Sequence, residues 1–201
     1  MWWLVIVVVV ILLFVLFLLN FYRDPERKVP KGSNIVAPAD GKIISIISTL
    51  NKSIKIKKGF LGKITTLTKD VAKECYVISI FMSPFDVHIN RAPIEGTVKS
   101  IKYTKGKFFE AYNLEKSLQN EKNEIVMQNK GIKLKVIQIA GFLARRIKCY
   151  VKKNQKVNKG HKIGMIALSS QTMLIIPKGV DLKVRINEHV KAGETVIANL
   201  R

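Results

Sequence analysis

The sequence predicts a mainly β single domain of the α+β class, preceded by one transmembrane helix. An unbroken apolar run occupies the N-terminus, and the rest of the chain alternates apolar with basic residues in short segments separated by glycine and asparagine. The first pattern is typical of a membrane-spanning helix and the second of strands joined by hairpins. We therefore divide the 201-residue chain into an anchor over 1–22, a basic juxtamembrane linker over 23–34 and one domain over 35–201.

The predicted anchor is the apolar run from Trp2 to Leu19, which is long enough to cross most of a bilayer core as a helix. Trp3 lies near one end and Phe21 and Tyr22 follow the other, where aromatic rings settle at membrane interfaces. A secretory signal peptide is the competing interpretation. The run lacks the basic start, short apolar core and small-residue cleavage site of such a peptide, so we predict a single-pass anchor.

Basic residues follow the apolar run directly, in a linker that also contains prolines and a glycine. The positive-inside rule places a helix end that carries such residues on the cytoplasmic side. The sequence therefore predicts a cytoplasmic domain held close to the cell membrane. The basic residues are Arg23, Arg27, Lys28 and Lys31.

The formal net charge of +21 restricts the partners of the domain. Clustered cations bind nucleic-acid phosphates, and a solvated lysine-rich surface is the plainer alternative. The lysines here alternate with apolar residues and lack the interleaved aromatic rings of a base-stacking platform. Together with the anchor, this pattern favours an anionic membrane surface and argues against nucleic acid.

Strands are predicted by two patterns in the domain. Alternation of apolar and basic residues indicates half-buried strands, and continuous apolar runs indicate strands buried on both faces. One helix or a pair of short turns is predicted within Phe108–Leu118. The alternating segments are Ser53–Lys57, Ile132–Val136, Arg146–Val151 and Leu182–Ile186, and the continuous ones are Tyr76–Phe81 and Met173–Ile176.

A weak repeat indicates paired hairpins near the C-terminus. The pattern Val157-x-x-Gly160-x-x-Ile163 recurs as Val190-x-x-Gly193-x-x-Val196. Such hairpins are typical of lipoyl- and biotinyl-carrier folds and of efflux adaptor proteins. However, neither glycine turn offers the lysine that a carrier modifies, and the chain has no heptad pattern for an adaptor's coiled coil.

Two adjacent serines, Ser169 and Ser170, lie between the apolar segments 164–168 and 172–176. The pattern predicts a strand, a tight break and another strand. Taken alone, a Ser-Ser pair is usually a solvated turn.

Motifs in six other segments change that expectation: 21–27 (FYRDPER), 37–41 (APADG), 81–93 (FMSPFDVHINRAP), 106–108 (GKF), 120–123 (NEKN) and 138–146 (QIAGFLARR). Over nearly its whole length the chain resembles the short form of the phosphatidylserine decarboxylase family, which includes archaetidylserine decarboxylases. In that family the chain opens a Gly-Ser bond near its own C-terminus and the serine becomes a pyruvoyl group. The matching residue is Ser170, with Ser169 in the place of glycine; another pyruvoyl family, bacterial histidine decarboxylase, opens a Ser-Ser bond.

The resemblance implies a covalent pyruvoyl cofactor derived from Ser170 and no metal. The Ser170 hydroxyl would attack the Ser169 carbonyl to form an ester, and β-elimination and hydrolysis would leave the pyruvoyl group. The products are a β chain of residues 1–169 and an α chain of residues 170–201. The domain over 35–201 is then a pyruvoyl decarboxylase domain. A pyridoxal phosphate enzyme is the alternative, but the chain has no glycine-rich phosphate loop and is short for that class.

The resemblance also implies an acid–base pair of Asp40 and His88. On the residues alone, Asp40 before a glycine is a turn former and a lone histidine is usually structural. Larger family members carry a second histidine in this segment, and it aligns with Arg91 here. His88 must therefore supply the acid–base function itself, or the site is arranged differently. His161 and His189 lie in the predicted hairpins, where we expect them to be exposed.

The predicted function is decarboxylation of the serine headgroup of a membrane phospholipid to ethanolamine and CO₂. Phosphatidylserine and archaetidylserine carry the same headgroup, so the sequence fits either lipid as the substrate. It also fits either a monomer or a homo-oligomer. Arg91, Arg145 and Arg146 are candidates for the lipid phosphate, because guanidinium forks bind two phosphate oxygens; surface charge is the alternative. The competing functions are an unprocessed homologue and a membrane-anchored lipoyl-like adaptor, both without catalysis.

Overall fold

The structure is a computed structural model that describes residues 2–49, 67–107, 109–141, 146–167 and 170–200. Two helices lie wholly within these ranges, α1 (Trp2–Phe21) and α2 (Leu114–Ser117). The predicted strand over 53–57 lies outside the described residues, as do Arg145 and Ser169. The strands are β1 (Asn34–Val36), β2 (Gly41–Ser48), β3 (Cys75–Met82), β4 (Ile89–Arg91), β5 (Gly96–Thr104), β6 (Lys122–Asn129), β7 (Ile132–Ile139), β8 (Ile147–Cys149), β9 (Lys156–Val157), β10 (Lys162–Ile166), β11 (Ser170–Pro177), β12 (Asp181–Leu182), β13 (His189–Val190) and β14 (Val196–Asn199).

The strands form three antiparallel sheets, which confirms the mainly β prediction. The large sheet has eight strands in the order β13-β2-β3-β11-β7-β6-β5-β9. The two small sheets have three strands each, in the orders β1-β14-β12 and β4-β10-β8. The α1 helix precedes them; it is long and apolar enough to cross a membrane, and nearly all its side chains are exposed.

The central strands β3 and β11 are buried on both faces of the large sheet. Ile78 and Leu174 belong to the hydrophobic cluster on one face. Val77 and Met173 belong to the cluster on the other face. Because successive side chains of a strand point to opposite faces, burial on both sides requires a continuous apolar run. The two predicted buried strands are therefore confirmed.

The predicted C-terminal repeat forms two equivalent glycine turns. Gly160 and Gly193 have φ angles of +80° and +77°, in the left-handed region that glycine adopts without steric cost. The Gly160 N–H donates to the Ala92 carbonyl at 2.9 Å, and the Gly193 N–H donates to the Ala37 carbonyl at 2.8 Å. Each of these alanines precedes a proline, so the repeat extends to the two Ala-Pro segments that receive the turns.

Two predicted elements are shorter than expected. The strand predicted over 182–186 ends at Leu182, because the Arg185 amide donates to the Glu188 carboxylate at 3.0 Å and closes a turn. The helix predicted within 108–118 is the single turn α2, which begins where the Asn113 side chain accepts from the Lys116 amide at 3.1 Å.

Gly41 opens β2 at a position that has no room for a side chain. Its φ angle is +141°, and a Cβ there would lie 2.1 Å from the Phe81 carbonyl oxygen. We expect Gly41→Ala to lower the free energy of unfolding by about 2–4 kcal/mol through backbone strain and overpacking. Chemical denaturation in detergent micelles measures this change.

The matched control is Gly179→Ala, at a φ of +98° with no atom within 4 Å of the added Cβ. It retains the backbone strain without the steric clash, so its loss of stability should be clearly smaller. Equal losses for the two variants would contradict the steric explanation.

Candidate active site

Three segments that are distant in sequence meet at one end of the large sheet. β3 lies between β2 and β11 and is antiparallel to both. The start of β2, the end of β3 and the start of β11 therefore lie side by side. This arrangement brings together Asp40, which precedes β2, the loop from Ser83 to His88, which follows β3, and Ser170, which begins β11.

Ser170 is fully buried in this arrangement, so it is not a solvated turn residue. It pairs with Met82 across the sheet, and its hydroxyl donates to the Met82 sulfur at 3.6 Å. Thr172 and Asn90 contact the same sulfur, at 3.5 Å and 3.7 Å. The Ser170 hydroxyl thus lies in a small polar cluster that is closed to water.

Buried amides extend this cluster into the sheet. The Asn90 side chain donates to the Thr172 hydroxyl at 3.2 Å and accepts from Gln138 at 2.8 Å. Gln138 in turn accepts from the Asn123 side chain at 2.9 Å. Sequence analysis did not assign these residues to the site. Asn90, Asn123 and Gln138 lie in motifs of the resembled family, and Thr172 stood out only as a polar residue beside an apolar run.

His88 is completely buried, and its hydrogen bond defines its tautomer. Its Nδ1 lies 2.8 Å from the backbone carbonyl oxygen of Asp86. A carbonyl can only accept, so Nδ1 carries the proton and Nε2 has a free lone pair. Among the described residues, Nε2 has no hydrogen-bond partner.

Burial also keeps the imidazole neutral. It lowers the pKa of His88 from 6.5 to about 4, against the smaller opposing effects of the Asp86 carbonyl and carboxylate. At neutral pH the ring is therefore uncharged, and its Nε2 is able to accept a proton. A buried base without a partner is a strong indication of a functional site.

The end of α1 forms one wall of this site. Phe21, the last residue of α1, is 2% exposed, and the centre of its ring lies 4.2 Å from that of His88. The sequence placed Phe21 at the membrane interface and gave no signal for its contact with His88.

We expect Phe21→Ala to raise the pKa of His88 from about 4 towards 6.5, because water would reach the imidazole. NMR of histidine-labelled protein in nanodiscs resolves the pKa, since the chain has only three histidines. In the wild type the unfolded chain binds a proton below 6.5 and the folded chain does so only near 4, so stability falls as pH is lowered through this window. The variant should lose less stability over the same window.

The control for this experiment is Phe14→Ala, since Phe14 lies on the same helix and is exposed. Its His88 should titrate as in the wild type. A His88 pKa that stays near 4 in Phe21→Ala would contradict the role of the phenyl ring.

Asp40 makes contacts of a structural kind. Both of its oxygens accept from one Arg27 nitrogen at 2.9 Å, and one of them also accepts from the Ala192 amide at 2.8 Å. Within the described part of the chain, no hydrogen bond joins Asp40 to His88 or Ser170. The carboxylate therefore links the linker to the C-terminal glycine turn, and its acid–base role stays a prediction.

The three arginines predicted for the lipid phosphate differ in their surroundings. Arg91 is buried, with one nitrogen 2.6 Å from the Asp24 carboxylate and another donating to the Gly160 carbonyl at 3.0 Å. Arg146 is exposed, and its carbonyl accepts from the Ala167 amide at 3.2 Å, close to the start of β11. Arg145 lies outside the described residues. The structure thus leaves Arg146 more accessible to a ligand than Arg91.

The described ranges contain no group of three or more histidine, cysteine, aspartate or glutamate side chains that could hold a metal ion. His161 and His189 are both exposed.

The fold and the site define a β-sheet protein with an apolar N-terminal helix, in which Ser170 and His88 are both buried at one end of the main sheet and no hydrogen bond joins them among the described residues. A profile of the phosphatidylserine decarboxylase family matches residues 14–198. The chain belongs to this family.

Individual relatives agree with this assignment. The chain is 42% identical to a Methanocaldococcus jannaschii protein that carries the name archaetidylserine decarboxylase proenzyme, over 92% of this chain and 90% of the relative. It is also 42% identical to the phosphatidylserine decarboxylase proenzyme of Chlorobium limicola, over 92% and 79%, and 40% identical to that of Chlorobaculum tepidum, over 92% and 78%. The predicted resemblance is confirmed.

Proposed function

We propose that the chain is a self-processing proenzyme that decarboxylates the serine headgroup of a membrane phospholipid. One observation carries this proposal: the buried Ser170 hydroxyl lies at the same end of the sheet as the His88 lone pair, which has no partner among the described residues. Membership of the phosphatidylserine decarboxylase family supports it.

The first reaction is internal to the chain. The Ser170 hydroxyl attacks the carbonyl carbon of residue 169, its oxygen forms an ester, and the amide bond to the Ser170 nitrogen breaks. β-Elimination then releases the chain ending at Ser169, and hydrolysis releases ammonia and leaves a pyruvoyl group at 170. We assign the base to His88, because its neutral Nε2 accepts a proton without first losing another partner.

The residues around Ser170 fit a pyruvoyl group. The position is buried, borders the small polar cluster and begins a strand whose next six residues are also buried. When formed, the group supplies an electron sink for the carbanion left by the departing CO₂. The chain contributes a buried position for the group and a base.

The membrane arrangement is part of the proposal. α1 crosses the bilayer as an anchor over 1–22, a basic linker follows over 23–34, and the catalytic domain over 35–201 lies on the cytoplasmic side. The basic residues directly after α1 support this orientation, and the net charge of +21 favours an anionic surface. Asp40 and the exposed Arg146 remain candidates for acid–base catalysis and phosphate binding.

A decarboxylation assay tests the function. Purified protein in mixed micelles should release CO₂ from carboxyl-labelled phosphatidylserine or archaetidylserine and leave the ethanolamine lipid. Comparison of the two lipids identifies the substrate. Absence of CO₂ from both lipids, with protein that has cleaved itself, would refute the decarboxylase assignment.

A further inference from the structure

We propose that Arg23 binds the phosphodiester of the lipid substrate, so that the membrane anchor carries part of the active site. This inference rests on the proposed function and gives a binding role to a residue that the sequence analysis had used to orient the helix and had quoted within the 21–27 motif.

Arg23 is held against the loop that carries the candidate base. One terminal nitrogen, Nη1, donates to the backbone carbonyl of Asn20 at 2.7 Å and to its side-chain oxygen at 2.6 Å. The other, Nη2, donates to the Phe85 carbonyl at 2.7 Å, three residues before His88. These contacts fix the guanidinium plane between the end of α1 and the loop.

The charge of Arg23 is not neutralised within the described chain. Two other arginines do form ion pairs: Arg27 lies 2.9 Å from the Asp40 carboxylate, and Arg91 lies 2.6 Å from the Asp24 carboxylate. Arg23 makes no such ion pair with any described carboxylate. The nearby Asp86 carboxylate instead accepts from the Ser83 amide at 2.7 Å.

Donors remain available on the same guanidinium. A guanidinium has five N–H groups, and three of those on Arg23 are used by Asn20 and Phe85. The Nε–H and the second Nη2–H have no partner among the described residues. Nε and Nη2 are the two nitrogens that bind a phosphate side-on through two oxygens. The residue is only half-buried, so a ligand can reach it.

The position along the chain matches the depth of a lipid phosphate. Arg23 is the second residue after α1. The aromatic ring of Phe85, whose carbonyl Arg23 contacts, is 71% exposed, as is typical of a ring at a membrane interface. The centre of this ring lies 6.5 Å from that of Phe17 of the helix, and the two rings meet edge-on. The Arg23 charge also lowers the pKa of His88, as a smaller cause than burial of the imidazole. Because only a few bonds separate the phosphorus from the α-carbon in a serine headgroup, a lipid bound at Arg23 would present its headgroup to the loop that Arg23 contacts at Phe85 and that carries His88.

The test compares Arg23→Gln and Arg23→Lys with Lys28→Gln, which removes the same charge from an exposed position in the same linker. For the wild type and Lys28→Gln we expect similar KM values in the decarboxylation assay. Arg23→Gln should raise KM about tenfold or more above the wild-type value, with kcat changed less than about threefold. The KM of Arg23→Lys should lie between those of the wild type and Arg23→Gln. Equal KM values for Arg23→Gln and Lys28→Gln would refute the proposal.

A binding measurement separates this inference from the proposed function. Calorimetric titration with glycerophosphoserine, serine and inorganic phosphate requires no turnover. The wild type should bind glycerophosphoserine more tightly than either of the others, and Arg23→Gln should lose that preference. Retained preference in Arg23→Gln, or equal binding of inorganic phosphate, would overturn the assignment of Arg23 to a lipid headgroup, whether or not CO₂ is produced.

Discussion

Replacing Ser170 by Ala is expected to leave the protein as one uncut chain of 201 residues without decarboxylase activity. The substitution removes the only atom that the proposed acyl shift uses as a nucleophile. It removes one weak contact, to the Met82 sulfur at 3.6 Å, so the fold should remain intact. A denaturing gel shows whether the chain is cut.

The matched control is Ser79→Ala. Ser79 is also fully buried in the large sheet, and its hydroxyl has no partner among the described residues. This variant should cut normally. If the Ser170→Ala chain is still cut, the nucleophile has been assigned to the wrong residue.

Replacing His88 by Asn is expected to slow the chemistry by about 10²–10⁴-fold, the usual contribution of a positioned base. The Asn amide retains a donor for the Asp86 carbonyl, which His88 Nδ1 contacts at 2.8 Å, but offers no basic nitrogen. The time course of self-cleavage after in vitro synthesis measures the first step, and CO₂ release measures the second. His161→Gln is the control, because His161 is exposed.

The same assignment predicts the pH dependence of the wild type. His88 has a pKa of about 4, so the base should remain free across neutral pH and be lost by protonation only as pH falls towards 4. A loss of activity with a midpoint near 6.5, or a His88→Asn variant as active as His161→Gln, would contradict the role of His88.

The fold could be predicted where local patterns dominate. The continuous apolar runs predicted β3 and β11, because runs of this short length are typical of strands buried on both faces. The glycine turns at Gly160 and Gly193 were predicted from their spacing. β12 was predicted too long. The alternating pattern gave no sign that the Glu188 side chain would accept from the Arg185 amide and close a turn directly after the strand.

The site was predictable from sequence only in part. Ser170 and His88 were identified through motifs of the resembled family, and the structure places both at one end of the sheet. The Arg27–Asp40 and Asp24–Arg91 ion pairs join the linker to the domain, and no local sequence pattern indicates which residues meet there. The contact of Phe21 with His88 depends on how α1 meets the domain, which no local pattern describes.

Intact-mass measurement of the purified wild-type protein tests the central claim most directly. Self-cleavage predicts two fragments, residues 1–169 and residues 170–201, with the smaller one carrying a pyruvoyl group in place of an amino terminus. A single species at the full-length mass would contradict the account, since the chain would then lack the reactive group on which the proposed decarboxylation depends.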